Sequence, residues 1–156
     1  MAALFDAVKR FFEEGGWEPG PVEGRPSALK MPYQGQSGAW TCVADVIEEA
    51  DQVVFFSISP VHAPEARRAA VAEFLTRANY GIILGNFEMD YEDGEVRYKT
   101  ALDVEGDELS DALLRNIVLA NLQAMEVYLP GLLAVIYGDR PPADVVAELE
   151  SKGGGA

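Results

Sequence analysis

Apolar and polar positions alternate at helical spacing in the first fourteen residues. The apolar residues from Leu4 to Phe12 fall on one side of a helix, charged residues fall on the other, and Gly15-Gly16 ends the pattern. Residues 17–26 are rich in proline and glycine, which is typical of a loop. The pattern predicts an amphipathic first helix followed by a loop.

Shorter alternating runs then predict three strands. Leu29, Met31 and Tyr33 alternate with polar residues, and residues 40–47 and 52–58 are two further β-rich runs. Because no helical pattern separates these runs, consecutive strands pair antiparallel and form a three-stranded meander.

Helical spacing returns in the rest of the chain. Pro64 suits a first helical turn, and residues 71–78 carry an apolar stripe. Ser110 is a good N-cap for a third, long helix, which Pro130-Gly131 is expected to kink or break. Pro141-Pro142 begins a short last helix.

A hairpin is predicted between the second and third helices. Asp93-Gly94 is a strong two-residue turn signal, and the flanking residues then divide into an apolar face and a charged face. The predicted opposing pairs are Tyr91 with Val96, Met89 with Tyr98, Phe87 with Thr100, Gly85 with Leu102, Asp90 with Arg97 and Glu88 with Lys99.

These elements predict an α+β fold: an antiparallel sheet of about five strands, a three-stranded meander plus a hairpin, flanked by helices. A chain of 156 residues closes one core of ordinary size, so we expect one domain over residues 1–150 and a flexible tail over residues 151–156. If helices cover only one face of the sheet, the other face is available to a partner.

Charge and cysteine content narrow the possible partners. The chain has 26 acidic and 12 basic residues, a formal net charge of −14, which repels nucleic acids and anionic membranes. The apolar run over residues 129–137 is far shorter than the ~20 residues of a membrane span. Cys42 is the only cysteine, which excludes an intrachain disulfide and indicates a reducing, cytoplasmic setting.

Candidate catalytic residues are few. His62 is the only histidine and has no serine, cysteine or acidic partner nearby in sequence, and Cys42 lies within a predicted strand. Asp103, Glu105 and Asp107 form the only close carboxylate cluster, in a strand-to-helix loop where solvated acids are common. An enzyme that uses these carboxylates is therefore the weaker alternative, and we expect neither a metal nor a cofactor.

Three segments resemble a known family. They are Arg77-Ala78-Asn79-Tyr80, Gly85-Asn86-Phe87-Glu88 and the run from Asp93-Gly94 to Lys99-Thr100. Together with the element order they resemble the YbjN family of bacterial proteins, described as sensory transduction regulators and similar in fold to type III secretion chaperones. The resemblance covers residues 28–138.

The resemblance implies a small acidic homodimer that binds other proteins and turns over no substrate. It supplies no catalytic residues. For the interface with a partner protein or a second copy, we propose Met89, Tyr91 and Tyr98 on the hairpin, followed by Met125 and Tyr128 on the long helix. The alternative function is a small-molecule sensor with a pocket under the kinked third helix.

Overall fold

Four α-helices and six β-strands account for most of residues 3–152, the part of the chain that this computed structural model describes. The helices are α1 (Ala3–Glu14), α2 (Arg68–Gly81), α3 (Asp111–Gly138) and α4 (Pro142–Lys152). The strands are β1 (Gly20–Val22), β2 (Arg25–Gln34), β3 (Ala39–Ile47), β4 (Gln52–Ile58), β5 (Asn86–Met89) and β6 (Val96–Asp103).

The strands form one antiparallel sheet in the order β1-β2-β3-β4-β6-β5. The predicted meander and hairpin are both present, and β6 joins them by pairing with β4. The sheet has six strands because the proline- and glycine-rich segment, predicted as a loop, contains the short strand β1, whose Gly20 lies opposite Lys30.

The β5–β6 hairpin keeps its predicted faces, but its predicted register is wrong by two residues. Phe87 lies opposite Tyr98, and Met89 lies opposite Val96. Side chains alternate between the faces of a strand, so a shift of two residues returns each side chain to its predicted face.

The turn explains the shift. It is longer than the predicted Asp93-Gly94 pair: Asp90 N–H donates to the Glu95 carbonyl at 2.9 Å, and four residues lie between them. Gly94 has a φ of +80° and lies against the backbone of Ala63, which leaves no room for a side chain.

The predicted charge pairs change with the register. Glu88 binds both Arg97, at 2.6 Å, and Lys99, at 3.1 Å. The predicted pair between Asp90 and Arg97 is wrong, because the Asp90 carboxylate accepts the N–H of Glu92 inside the turn.

The long helix α3 contains Pro130 and continues through it, so of the two predicted outcomes, a kink or a break, the break is wrong. A proline in a helix lacks the N–H that would bind the carbonyl four residues earlier. That carbonyl belongs to Glu126, and the hydroxyl of Ser37 donates to it at 2.6 Å. The β2–β3 turn therefore replaces the missing hydrogen bond.

The four helices lie on one side of the sheet and share one apolar core with the strands, with α4 packed against α2 and α3. The amide of Asn121, buried on α3, donates to the carbonyls of Phe55 and Tyr98, at 2.9 and 3.1 Å. This contact fixes α3 over β4 and β6. By length and composition α3 is also apolar enough to cross a membrane, but half of its most apolar window is buried against the rest of the chain.

The two ends of the chain are held by polar contacts. The first N–H groups of α1, from Leu4 and Phe5, donate to the carboxylate of Glu48 at 2.7 and 3.0 Å, which caps the helix from the β3–β4 connection. At the other end, Ser151 and Lys152 of the predicted tail belong to α4, and residues 153–156 lie outside the described part of the chain.

Candidate functional site

The last turn of α2 and its connection to β5 expose large apolar side chains. Tyr80 is 95 % exposed, Ile83 94 % and Leu84 56 %. Gly85 follows with a φ of +82°, and a side chain there would lie 2.5 Å from the carbonyl of Lys99. The backbone thus enters β5 in tight contact with β6, and the apolar residues just before it point outward.

A cleft separates this connection from α3. Its volume is about 290 Å³. The α3 wall consists of Ala120, Gln123, Ala124 and Val127, and the two alanines make the helix surface shallow there. Leu119, next to this wall, is 55 % exposed.

We call Tyr80, Ile83, Leu84 and Leu119, together with the α3 wall of the cleft, the apolar patch. No residue of the apolar patch carries a charge, although the chain as a whole has a net charge of −14. Its four large side chains present roughly a few hundred Å² of apolar surface, the size of the largest apolar patches on soluble monomers, which are often functional.

Tyr98 and Tyr128 form the inner side of the cleft. The Tyr98 hydroxyl donates to the carbonyl of Leu84, which ties the exposed connection to β6. Burial raises the pKa of Tyr98, so its hydroxyl keeps this proton at physiological pH. Burial, followed by a hydrogen bond to Glu150 of α4, raises the pKa of Tyr128 to about 12.

The neighbouring sheet edge is blocked to an added strand at Phe87. Asn79, in the last turn of α2, accepts the N–H of Phe87 at 2.7 Å and donates to its carbonyl at 3.1 Å. These are the groups that an added strand would pair with. A partner at the apolar patch therefore binds through side chains at this part of the edge.

No helix of residues 3–152 covers the second face of the sheet. Its apolar residues form a separate small cluster of strand residues, which we call the open face: Val22, Ala28, Val43, Val54, Phe56 and Ile58. The Arg97 guanidinium lies 4.2 Å from the centroid of the Phe56 ring, and Glu88 holds it there.

The structure separates the five predicted interface residues. Tyr98, Met125 and Tyr128 are buried in the core of the chain, because α3 covers the apolar side of the hairpin. Met89 is half-buried against this core, and Tyr91 is exposed in the hairpin turn. The interface role of these residues stays a prediction; on a single chain, Tyr91 and the edge of Met89 are accessible.

The remaining candidate residues lie apart from the apolar patch. Burial raises the pKa of the Cys42 thiol to about 12. His62 is exposed, with Nδ1 3.1 Å from the carbonyl of Asp93. The N–H of Glu105 and the amide of Gln52 bind the Asp103 carboxylate and lower its pKa. Within residues 3–152, no group of three histidine, cysteine or acidic side chains is arranged to hold a metal.

Sequence reasoning missed the apolar patch. Its signal was the uncharged run Tyr80-Gly81-Ile82-Ile83-Leu84, which lies between the stripe of the second helix and the predicted hairpin and belongs to neither pattern. Such a run favours a contact surface when it is exposed.

Comparison with known proteins gives a family and a fold. The YbjN family model, described as "Putative bacterial sensory transduction regulator", matches residues 5–134. The resemblance seen in the sequence is therefore confirmed, and it extends further toward the N-terminus than the three segments indicated. No curated protein matches the sequence.

Several solved structures are similar to this chain, and three of them are described here. The structure of YbjN from E. coli, "a putative transcription regulator", has 13 % identity and a TM-score of 0.62, over 85 % of this chain and 87 % of that one. The structure of the ExsC-ExsE complex has 12 % identity and a TM-score of 0.51, over 80 % of this chain and 92 % of that one. The structure of the HopA1-SchA chaperone-effector complex has 14 % identity and a TM-score of 0.49, over 78 % of this chain and 91 % of that one.

At these identities the likeness establishes the fold alone. The predicted α+β, type III secretion chaperone-like fold is confirmed by the two structures whose TM-scores exceed 0.5, YbjN and the ExsC-ExsE complex.

Proposed function

This chain belongs to the YbjN family, and we propose that it is a non-enzymatic, chaperone-like or regulatory module that binds a segment of a partner protein as a homodimer. The observation that carries this proposal is the apolar patch. A strongly acidic chain that leaves Tyr80 and Ile83 almost fully exposed on a connection fixed by Gly85 and Tyr98 presents a surface for another protein.

The fold supports the same function. The ExsC-ExsE complex, whose TM-score to this chain exceeds 0.5, contains two different proteins. The family description names a regulator. Both descriptions refer to proteins that act on other macromolecules, and here we extend that mode of action to this chain.

The titratable groups suit binding better than catalysis. A general acid or base works best with a pKa near the operating pH. The pKa of Cys42 is raised to about 12, and that of Asp103 is lowered. Neither shift moves the pKa of its group toward neutral pH.

The net charge of −14 supports a protein partner over nucleic acid or an anionic membrane, and with the single cysteine it supports a cytoplasmic location. The same charge attracts basic partner segments over distances of about 8–10 Å at physiological ionic strength.

A small-molecule sensor is the second candidate. The predicted pocket under the third helix stays a proposal, and it does not lie at Gly131, where α3 packs tightly against Leu149, Val145 and Phe74. The observation that favours a sensor is instead the cleft between α3 and the α2–β5 connection. Its volume lies at the lower limit of ligand pockets, roughly 300–1,000 Å³.

Capture from the native cell, followed by reconstitution, tests the proposed function. The tagged chain is expected to recover a defined protein, and the purified pair is expected to bind in calorimetry and to raise the melting temperature of the chain. Stabilisation by one metabolite, with no protein that binds after purification, would contradict the proposal and support the sensor.

A further inference from the structure

We propose that the turn between β2 and β3 is a latch on α3: while the turn is bound, α3 continues through Pro130, and when it is released, α3 breaks there. The latch consists of residues 35–38 and of Glu126 on α3. Release also moves the α3 wall of the cleft, because Val127 follows Glu126 directly. This device goes beyond the proposed function and does not depend on which molecule occupies the cleft.

Glu126 makes the polar contacts of the latch. Its backbone carbonyl accepts the Ser37 hydroxyl at 2.6 Å. Its carboxylate accepts the N–H of Gln36 at 2.9 Å and also the N–H of Ser37. Hydrogen bonds to an ionised carboxylate are about twice as strong as neutral ones. One residue of α3 is thus held through both its backbone and its side chain.

The latch binds α3 at the carbonyl that a proline leaves without a donor. In an unbroken helix the N–H of residue 130 would bind the Glu126 carbonyl, but Pro130 has no N–H and its ring crowds that carbonyl. A proline therefore favours a kink or a break at this point. The Ser37 hydroxyl supplies the missing donor from 89 positions away in the sequence. The continuity of α3 at Pro130 thus depends on a tertiary contact.

Gly35 shows how closely the turn approaches α3. A Cβ at Gly35 would lie 2.2 Å from Oε1 of Glu126 and 2.9 Å from the Trp40 ring. A larger residue therefore displaces the carboxylate from the turn. Gln34 and Gln36, on either side of Gly35, are exposed to solvent. The latch is a closely fitted contact at the surface, and its release leaves the apolar core in place.

The two halves of α3 are fixed to different parts of the molecule. Before Pro130, the Asn121 amide binds carbonyls of β4 and β6. After Pro130, Gly131 packs tightly against side chains of α2 and α4. Arg67, just before α2, donates to the Val135 carbonyl at 2.7 and 3.0 Å. A break at Pro130 leaves both sets of contacts in place, so it is a local change of the backbone.

A double-mutant cycle tests the link between the latch and Pro130. Ser37→Ala should raise the equilibrium constant for unfolding roughly fivefold in the wild-type chain, because the Glu126 carbonyl loses its donor. In the Pro130→Ala background the same change should raise it less than about twofold, since the N–H of residue 130 then binds that carbonyl. Urea denaturation measures both effects. Equal effects of Ser37→Ala in the two backgrounds overturn the inference.

Hydrogen exchange tests whether release breaks α3. The N–H groups of residues 131–134 bind the carbonyls of residues 127–130, so a break at Pro130 exposes them to exchange. Ser37→Ala should speed their exchange roughly tenfold or more, and by a larger factor than exchange in β4, which follows global unfolding. Ser27→Ala is the matched control, because the Ser27 hydroxyl binds Asp45 on the sheet at 2.9 Å.

The control should leave exchange in α3 unchanged. Unchanged exchange of residues 131–134 in Ser37→Ala overturns the inference. An equal rise in α3 and β4 overturns it as well, because the hydroxyl would then add only general stability.

Gly35→Ala releases the latch by a different route. Its methyl group displaces the Glu126 carboxylate, so exchange of residues 131–134 should rise as in Ser37→Ala. Gly20→Ala is the control, since a Cβ there meets only the Lys30 carbonyl, at 3.8 Å. Circular dichroism verifies that the variants are folded, and if Gly35→Ala is not, Ser37→Ala alone decides. A folded Gly35→Ala with wild-type exchange in α3 overturns the inference.

Thiol labelling tests the consequence for the cleft. Val127→Cys, at a half-buried position in the cleft wall, should react roughly fivefold faster with a thiol reagent when Ser37→Ala is also present. The native Cys42 is buried and does not interfere. Equal rates overturn the claim that release reaches the cleft. None of these measurements needs a bound partner, so failure of the latch leaves the proposed function standing, and absence of a partner leaves the latch standing.

Discussion

Within residues 3–152, no helix covers the apolar patch or the open face of the sheet. The two surfaces differ in whether charged side chains cover their apolar side chains. On the open face, Arg97 lies over the Phe56 ring and Glu88 holds the guanidinium in place, so Phe56 is almost completely buried. At the apolar patch no charged side chain covers Tyr80 or Ile83.

This difference separates two uses of apolar surface. An apolar stripe that is covered by the chain's own cations is soluble without a partner. A patch without such cover favours association. We therefore assign the contact with other proteins to the patch and expect the open face to contribute mainly to stability.

The largest effect is expected at the floor of the cleft. Tyr98→Ala removes a buried ring and the hydroxyl that binds the Leu84 carbonyl, and should cost about 3–5 kcal/mol in the free energy of unfolding. Urea denaturation measures this cost, with the exposed Tyr91→Ala as control. A cost below about 1 kcal/mol would show that Tyr98 is not a core residue.

The next effect is expected on the open face. Phe56→Ala should cost about 2 kcal/mol, because the ring is buried but packs on one side against the flexible Arg97 instead of a helix. Urea denaturation under the same conditions allows direct comparison with Tyr98→Ala. Equal costs at the two positions would contradict the distinction between the covered and the open face.

Removing the cover should make the open face resemble the patch. Arg97→Ala should cost about 1 kcal/mol through lost cation–π and ion-pair contacts. It should also raise binding of a hydrophobic dye by exposing Phe56. Arg77→Ala is the control, since Arg77 forms an exposed ion pair on α2 and covers no ring in the described structure. Unchanged dye binding in Arg97→Ala would mean that Arg97 does not shield Phe56.

The smallest effect depends on pH. Burial opposes ionisation of Glu88, but its bonds to Lys99 and Arg97 outweigh burial and lower its pKa below the ordinary 4.5. The stability from ionised Glu88 is therefore complete above pH 4.5 and lost as pH falls through the lowered pKa. Glu88→Gln should cost less than about 1 kcal/mol at neutral pH, since the ion pairs of Glu88 are partly exposed to solvent.

Urea denaturation at several pH values follows this cost, which should shrink toward pH 3, where the wild-type carboxylate is protonated as well. A constant difference between the two proteins from pH 7 to pH 3 would contradict the role of ionised Glu88.

The fold was predictable from local patterns, and the errors arose where distant contacts decide the structure. The faces of the hairpin followed from alternation, but its register depended on a four-residue turn that packs against Ala63. The break at Pro130 was a sound local expectation. It failed because Ser37, far away in sequence, binds the carbonyl that the proline leaves free.

The candidate site was less predictable. Tyr98 and Met125 are residue types that are common in interfaces but are buried in the core, whereas Ile83 is a type common in cores but lies on the surface. Sequence patterns identify apolar residues, whereas tertiary packing decides which of them are covered. The uncharged run from Tyr80 to Leu84 was the available signal.

Hydroxyl-radical footprinting of side chains tests most directly whether the apolar patch is a protein contact surface. At low concentration, Tyr80 and Tyr137 should both react as exposed side chains. As concentration rises or the partner is added, the account predicts that Tyr80 becomes protected while Tyr137 continues to react. Equal reactivity of Tyr80 under all these conditions would contradict the account.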